Sequence, residues 1–182
     1  MRSHPLTEPP DGTVPAIGVD PAVYRRVVGR FATGIAVVTT RADGVDHAMT
    51  VNSFTSVSLD PLLVLFCAEK VARFHDAVLS TGRWAVSILG EGGENTSRWF
   101  ASRGRPLADQ LAATPFDRGE ITGAPVLRGA IGVLECRTRA VYDGGDHTIV
   151  LGDVLGAYGV EGPGRPLIHY RGAYRSLAPE GE

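Results

Sequence analysis

The 182 residues carry 43% hydrophobic and 21% charged side chains with a formal net charge of −2, the profile of one ordinary globular domain with a substantial core. That charge gives no reason to expect nucleic acid or an anionic membrane as partner, and no apolar run approaches the roughly 18–20 residues of a membrane helix. Cys67 and Cys136 stand far apart inside apolar runs and read as buried, reduced thiols of a cytoplasmic protein.

Residues 1–18, rich in Pro and Gly and lacking an apolar signal core, read as a flexible arm. A single domain is expected over 19–178, with 179–182 as a tail. Asp20 followed by Pro21 marks a helix start. Val23, Val27 and Phe31 then recur at helical spacing, and Gly34 is placed to end the helix. A strand follows in IAVVTT, and Asp43-Gly44 carries the turn signal of a hairpin. The return strand is HAMTVNSFTSVSLDP, 47–61, and Pro61 punctuates it. LLVLFCA, 62–68, is apolar on both faces and reads as a buried central strand.

Residues 70–81 place Val71, Phe74 and Val78 on one helical face, with Gly82 as the stop. WAVSIL, 84–89, reads as a strand, GEGG as a loop, and Asn95 as the cap of a short helix turning Trp99 and Phe100 inward. ITGAPVLRG reads as loop. Residues 131–142 alternate, with Leu134, Cys136, Thr138, Ala140 and Tyr142 on one face and Glu135, Arg137 and Arg139 on the other. DGGD turns the chain, HTIVLGDVLGAYG pairs back, and PLIHYRGAYRSL supplies a last short strand. Strands outnumber helices and hairpin turns join several of them, so a mostly antiparallel barrel with helices outside fits, and a doubly wound parallel fold does not.

Familiar chemical motifs are absent: no GxGxxG between strand and helix, no phosphate loop, no GxSxG, no CxxC, no HxxxH or HExxH. No metal site is expected. Three other features bear on function. The return strand carries Thr50, Asn52, Ser53, Thr55, Ser56 and Ser58 without a charge from 48 to 59. Such a strand either faces water or holds something polar, such as a flat heteroaromatic ring or a phosphate approached closely by backbone. Lys70 and Arg73 open the following helix, where positive charge opposes the macrodipole; a bound anion would remove the conflict, and surface cations that tolerate it are the alternative. His147 begins a strand after DGGD, either as a surface residue or as one in functional contact.

Together these stretches resemble the short-chain flavin reductases, the family with a flavin-reductase-like, FMN-binding domain. GIAVVTT, HAMTVNSFTSVSLDPLLVLFC, GAPVLRGAIGVLECR, GDHTIVLGDV and PLIHYRGAYRSL fall in that family's order and spacing over about 20–178. The resemblance implies a six-stranded antiparallel split β-barrel with a Greek-key course, flanking helices and a homodimer. It implies reduction of FMN or FAD by NADH or NADPH, with a partner monooxygenase receiving the reduced flavin. By the same resemblance Thr50, Val51, Asn52 and Ser53 line the flavin ring, and Ser56 and Ser58 lie toward its ribityl chain and phosphate. Lys70, Arg73 and Phe74 match the segment holding the phosphate and the adenylate side, though the Ser and Thr common there in relatives are missing. His147 matches a histidine near the flavin and nicotinamide rings, acting in catalysis, and Tyr170 and Tyr174 match a C-terminal aromatic segment near the site. Rival readings are an oxidoreductase resembling pyridoxamine-phosphate oxidase or the deazaflavin-linked reductases with tightly held FMN, a flavin-binding module without turnover, and a structural dimer domain.

Overall fold

The computed structural model describes residues 18–159 and 164–178. Most of the arm expected over 1–18, and the tail over 179–182, lie outside the described residues. Helix α1, Pro21–Val28, starts as expected: the Asp20 side chain accepts a hydrogen bond from the Ala22 N–H at 2.8 Å. It ends at Gly29 rather than Gly34, because Gly34 is taken into a short strand β1, Thr33–Gly34. None of its residues is buried.

The main sheet is antiparallel and has seven strands. They are β2 (Ala36–Ala42), β3 (Val45–Val51), β4 (Thr55–Leu59), β5 (Leu62–Glu69), β6 (Arg83–Leu89), β9 (Ala130–Gly144) and β10 (His147–Gly159). The spatial order is β3-β2-β6-β9-β10-β5-β4. Two satellites flank it: β7 (Phe116–Arg118) pairs with β8 (Pro125–Leu127), and β11 (Ile168–Tyr170) pairs with both β1 and β12 (Ala173–Arg175). Helices α2 (Arg73–Thr81) and α3 (Glu94–Ala101) complete the fold. A mainly β, antiparallel architecture is therefore present, but the hydrogen-bonded sheet counts seven strands and does not close, where six in a barrel were expected.

The extra strand has a local cause. The uncharged stretch 47–59 is not one strand, because β3 stops at Val51 and β4 starts at Thr55. Between them the Ser53 Oγ accepts the Cys67 N–H of β5 at 3.0 Å. A side chain thus takes the place of a ladder bond, and β3 and β4 end as the two opposite edges of the sheet. The hairpin between β2 and β3 matches its signal: Asp43 and Gly44 both have positive φ, 49° and 78°, which a two-residue turn following the strand twist requires.

Two apolar clusters flank the sheet. One gathers Val38, Val64, Phe66, Phe74, Val78, Trp84, Val86, Cys136 and Val150 under α2, with Phe66 and Trp84 edge to face at 4.9 Å. The other gathers Ile35, Val37, Leu89, Phe100, Leu111, Leu127 and Leu167 beneath α3 and the satellites. Strand β2 feeds both clusters, which is why Ala36–Thr40 is buried throughout. By contrast β5, expected to be buried on both faces, buries Val64, Phe66 and Ala68 and leaves Leu63, Leu65 and Cys67 half-exposed. Among the described residues no helix covers its outer face.

Other elements differ from the sequence reading for equally local reasons. Val71 is 77% exposed because α2 begins only at Arg73. Asn95 lies inside α3, not at its cap, and only Phe100 turns fully inward; Trp99 is part-exposed and donates Nε1–H to the Gln110 carbonyl at 2.7 Å. The stretch read as loop at 121–129 contains β8, which packs over the sheet. The segment leading into β8 also covers Glu135, which shares its strand face with Arg137 and Arg139. Glu135 is fully buried, its carboxylate accepting from the N–H groups of Ile121 (3.1 Å) and Thr122 (2.7 Å), the Thr122 hydroxyl (2.6 Å) and the Tyr158 hydroxyl (3.0 Å). Gly119 packs so closely on that carboxylate that a Cβ there would collide with it. Arg137 and Arg139 do face outward and share Asp153.

Candidate functional site

A cleft of about 740 Å³ opens beside the edge of β3, within the range of nucleotide and cofactor sites. Its floor is β3 from His47 to Val51 with Asn52 and Ser53; its walls are Arg73 and Phe74 of α2, the Ser102–Leu107 segment after α3, and His147 with Ile149 of β10. Because β3 is an edge strand, alternate residues carry N–H and C=O groups that meet no neighbouring strand. Two of these carbonyls are satisfied by side chains: Asp46 O accepts from Gln110 Nε2 at 2.6 Å, and Ala48 O accepts from Arg105 Nη2. By the period of two, Thr50 carries the next edge pair and presents it to the cleft. Its hydroxyl is already used, donating to the Ser97 carbonyl at 2.8 Å.

The cleft is electrically lopsided. Glu69 pairs with Arg103, and Asp146 Oδ1 sits 2.7 Å from His147 Nδ1. Among the described residues Arg73 and Arg105 pair with no carboxylate. Arg105 is half-buried, and burial together with the nearby Arg73 charge lowers its pKa. Burial, then Arg73, likewise lowers the pKa of His47. These groups leave positive charge uncompensated in a partly desolvated corner, where an anion gains most.

Of the residues singled out from the sequence, Thr50, Val51, Asn52, Ser53, Arg73, Phe74 and His147 all line the cleft. The others do not. Ser56 and Ser58 go with β4 to the opposite edge of the sheet, where Ser58 Oγ accepts the Asp60 N–H at 3.2 Å. Lys70 precedes α2, and its ammonium group is held by Asp143. Tyr170 is half-buried on β11 and does not line the cleft. Tyr174 packs on the α3 side, its hydroxyl 2.9 Å from Ser97 Oγ and its ring under Arg98 at 4.7 Å. Tyr174 thus supports, through Ser97, the carbonyl that Thr50 contacts.

Reading the sequence missed His47, Glu69, Arg103, Arg105 and Gln110. One signal was available: ASRGRPL places two arginines around a glycine directly after a short helix, a cationic loop with no acidic neighbour in sequence. The free thiol of Cys67 also reaches the cleft wall, whereas burial first, then the negative charges of Glu135 and Asp153, push the Cys136 thiol up to about 12. Among the described residues no three His, Cys, Asp or Glu side chains gather as metal ligands, and no helix is long and apolar enough to cross a membrane.

Residues 28–178 match the family model described as the flavin reductase like domain. The chain is 42% identical over 173 residues to the NADH-dependent FAD reductase of Streptomyces globisporus, covering 92% of this chain and 93% of that one. It is 38% identical over 163 residues to the reductase subunit HsaB of a flavin-dependent monooxygenase from Mycobacterium tuberculosis, covering 89% and 85%. Among solved structures it superposes with a TM-score of 0.84 on the Streptomyces globisporus C-1027 NADH:FAD oxidoreductase SgcE6 in complex with NAD and FAD fragments, at 40% identity and covering 90% and 96% of the two chains.

Proposed function

The chain belongs to the flavin reductase like domain family, and from that membership we propose that it is an NADH-dependent flavin reductase supplying reduced FMN or FAD to a partner monooxygenase. The observation that carries this reading is the cleft: an uncharged edge strand, Thr50–Ser53, continuous with a positive corner at Arg73 and Arg105. A flavin nucleotide has the same division, a flat ring with imide and carbonyl groups and then a phosphate. Edge N–H and C=O groups of β3 suit the ring's polar rim, and Arg73 suits the phosphate.

The reaction moves a hydride from the reduced nicotinamide ring to the flavin ring, with one proton taken from solvent, and the cofactors supply that chemistry. What the chain must do is hold two rings face to face. Positioning of this kind is worth several kcal/mol, up to roughly 7–11 in the best cases, and calls for no strong nucleophile. His147 stands at the cleft wall with Nδ1 against Asp146, which fixes the ring and leaves Nε2 to orient the nicotinamide.

The finer architecture belongs to the same reading. The sheet's opposite edges, β3 and β4, are joined by only 52–54, so a split barrel open at this seam describes how the sheet coils. A homodimer is supported by the apolar side chains one protomer leaves exposed: Val27 at 62%, Phe31 at 75%, Leu59 at 83% and Leu62 at 53%. A cytoplasmic setting accords with both free thiols.

The test follows absorbance at 340 nm when protein meets NADH or NADPH and added FMN, FAD or riboflavin. Flavin-dependent loss of NADH is the expected result. Flavin binding without NADH oxidation would leave only a binding module, and a yellow protein that keeps FMN through gel filtration would point to a tightly held prosthetic group.

A further inference from the structure

The segment Ser102–Leu107 forms one wall of the cleft without belonging to any helix or strand. Gly104 turns it, with φ of 76° and open space around the missing Cβ, a conformation that other residues adopt at a cost. Three arginine contacts fasten this strap to three different elements. Arg103 reaches Glu69 of β5. The Arg105 carbonyl accepts from Arg73 Nη2 of α2. The Arg105 side chain turns back beneath the strap and binds four acceptors: Gln110 Oε1 (3.2 Å), Phe100 O (3.1 Å), Ser102 O (2.6 Å) and Ala48 O of β3.

The use of those donors decides what Arg105 does. A guanidinium has five N–H groups, and four here are committed to neutral acceptors, so it has little left for a ligand. Its charge nonetheless stays beside Arg73, with no carboxylate to offset it among the described residues. A structural brace alone would be served by a neutral donor. Arg73 is the reverse case: among the described residues only its Nη2 is engaged, on the strap backbone, and its other N–H groups face no partner there.

We propose that Arg105 is a positioning residue for a phosphate-bearing nucleotide: by tying the Ser102–Leu107 strap to the edge of β3 it holds Arg73 and the strap in place against the ligand's phosphates. The inference rests on the flavin reductase reading and adds a residue and a mechanism of selection to it. The phosphates belong either to the flavin or to the nicotinamide nucleotide, and ligands lacking them separate the two.

Purified Arg105→Lys and Arg105→Gln proteins are titrated with riboflavin, FMN and FAD without NADH, following flavin fluorescence, and then assayed with NADH. Unfastening the strap is expected to weaken FMN and FAD binding about tenfold in both variants, as loss of charge-assisted phosphate contacts does, while riboflavin changes less than twofold. A raised KM for NADH, with none for reduced nicotinamide riboside and unchanged flavin binding, assigns the phosphates to the nicotinamide nucleotide and supports the same role. Equal weakening of riboflavin and FAD would overturn it, because the strap would then only shape the ring site; so would unchanged affinities throughout. Should both variants fail to fold, the unaltered protein still answers. Tryptic cleavage after Arg103, mapped by mass spectrometry, must be slowed by FAD or NADH and not by riboflavin at equal occupancy; equal protection by riboflavin counts against the proposal. An enzyme that binds FAD by this strap yet oxidises no NADH would sink the proposed function and leave the role of Arg105 standing.

Discussion

The molecule holds one charged group fully out of water and another half-buried beside a cleft, and among the described residues neither has a counter-ion. Glu135 is an anion sealed between β9 and the 119–124 segment; Arg105 is a cation beside the cleft. Each is solvated by neutral protein groups, four donors on Glu135 and four acceptors around Arg105. The surroundings differ. Among the described residues no second anion touches the Glu135 carboxylate, and Gly119 closes over it. Arg105 has Arg73 and His47 for company and an open cleft at its side. A buried charge that is fully satisfied and enclosed is a brace. One that adds to a surplus of like charge beside open space is suited to an anionic ligand.

The comparison breaks most readily at Glu135. Replacing it by Ala leaves the Ile121 and Thr122 N–H groups buried without acceptors and opens a void, so stability should fall by about 3 kcal/mol. Urea denaturation measures it, and the folded fraction should bind FAD as before. A loss of FAD binding matched to the folded fraction supports the brace; weakened binding by fully folded protein would make Glu135 part of the site.

At the cleft the expectation is inverted. Arg73→Ala should weaken FMN and FAD about tenfold or somewhat more, while the urea midpoint stays close to that of the parent, since an exposed side chain contributes little to stability. Dissociation constants over a salt series sharpen the reading: the parent's affinity should fall with ionic strength and the variant's much less. His147→Ala ranks below it, cutting turnover about tenfold while flavin affinity holds within a few-fold. Unchanged steady-state turnover would remove His147 from the mechanism.

The two regions also differ in how far the sequence foretold them. The hairpins, the long β9–β10 pair and α2 follow from period and turn residues, because those signals are local. The uncharged strand was visible by inspection for the same reason, but its composition left water or a ligand open, and only the family resemblance set Thr50–Ser53 against a ligand. The break at 52–54 was not visible, since no Gly or Pro marks it and its cause is a hydrogen bond from Cys67, 14 residues on. Arg105 acts on Ala48 from 57 residues away, a pairing that exists only once α3 has docked. Glu135 sat in an alternation that sets it on one face with Arg137 and Arg139, and a segment with the composition of a loop covered it. Residues whose role depends on a second element's position escape pattern reading, while those whose role depends on their neighbours in sequence do not.

The smallest expected effect is the most specific test of the sealed anion. Burial pushes the Glu135 carboxyl upward, but hydrogen bonds from Thr122, Tyr158 and Ile121 outweigh it and hold its pKa below the ordinary carboxylate range. A group with a lowered folded pKa adds stability above its unfolded value, about 4.3 for Glu, and loses it as pH falls through the folded value. Tyr158→Phe removes one of those bonds without opening a void. The folded pKa then rises toward the unfolded one, so Glu135 adds less stability at neutral pH and less is lost as pH falls. Tyr158 itself is raised, by its bond to Glu135 first, then by burial and by the negative charges of Glu135 and Glu120, so its contribution is present below about pH 10 and lost as pH rises beyond it. The same substitution should therefore flatten both the acid limb and that part of the alkaline limb. Thermal midpoints between pH 3 and 11 for parent and variant display both changes at once. A variant whose profile merely drops by a constant amount would mean that Tyr158 packs against Glu135 without sharing its proton equilibrium.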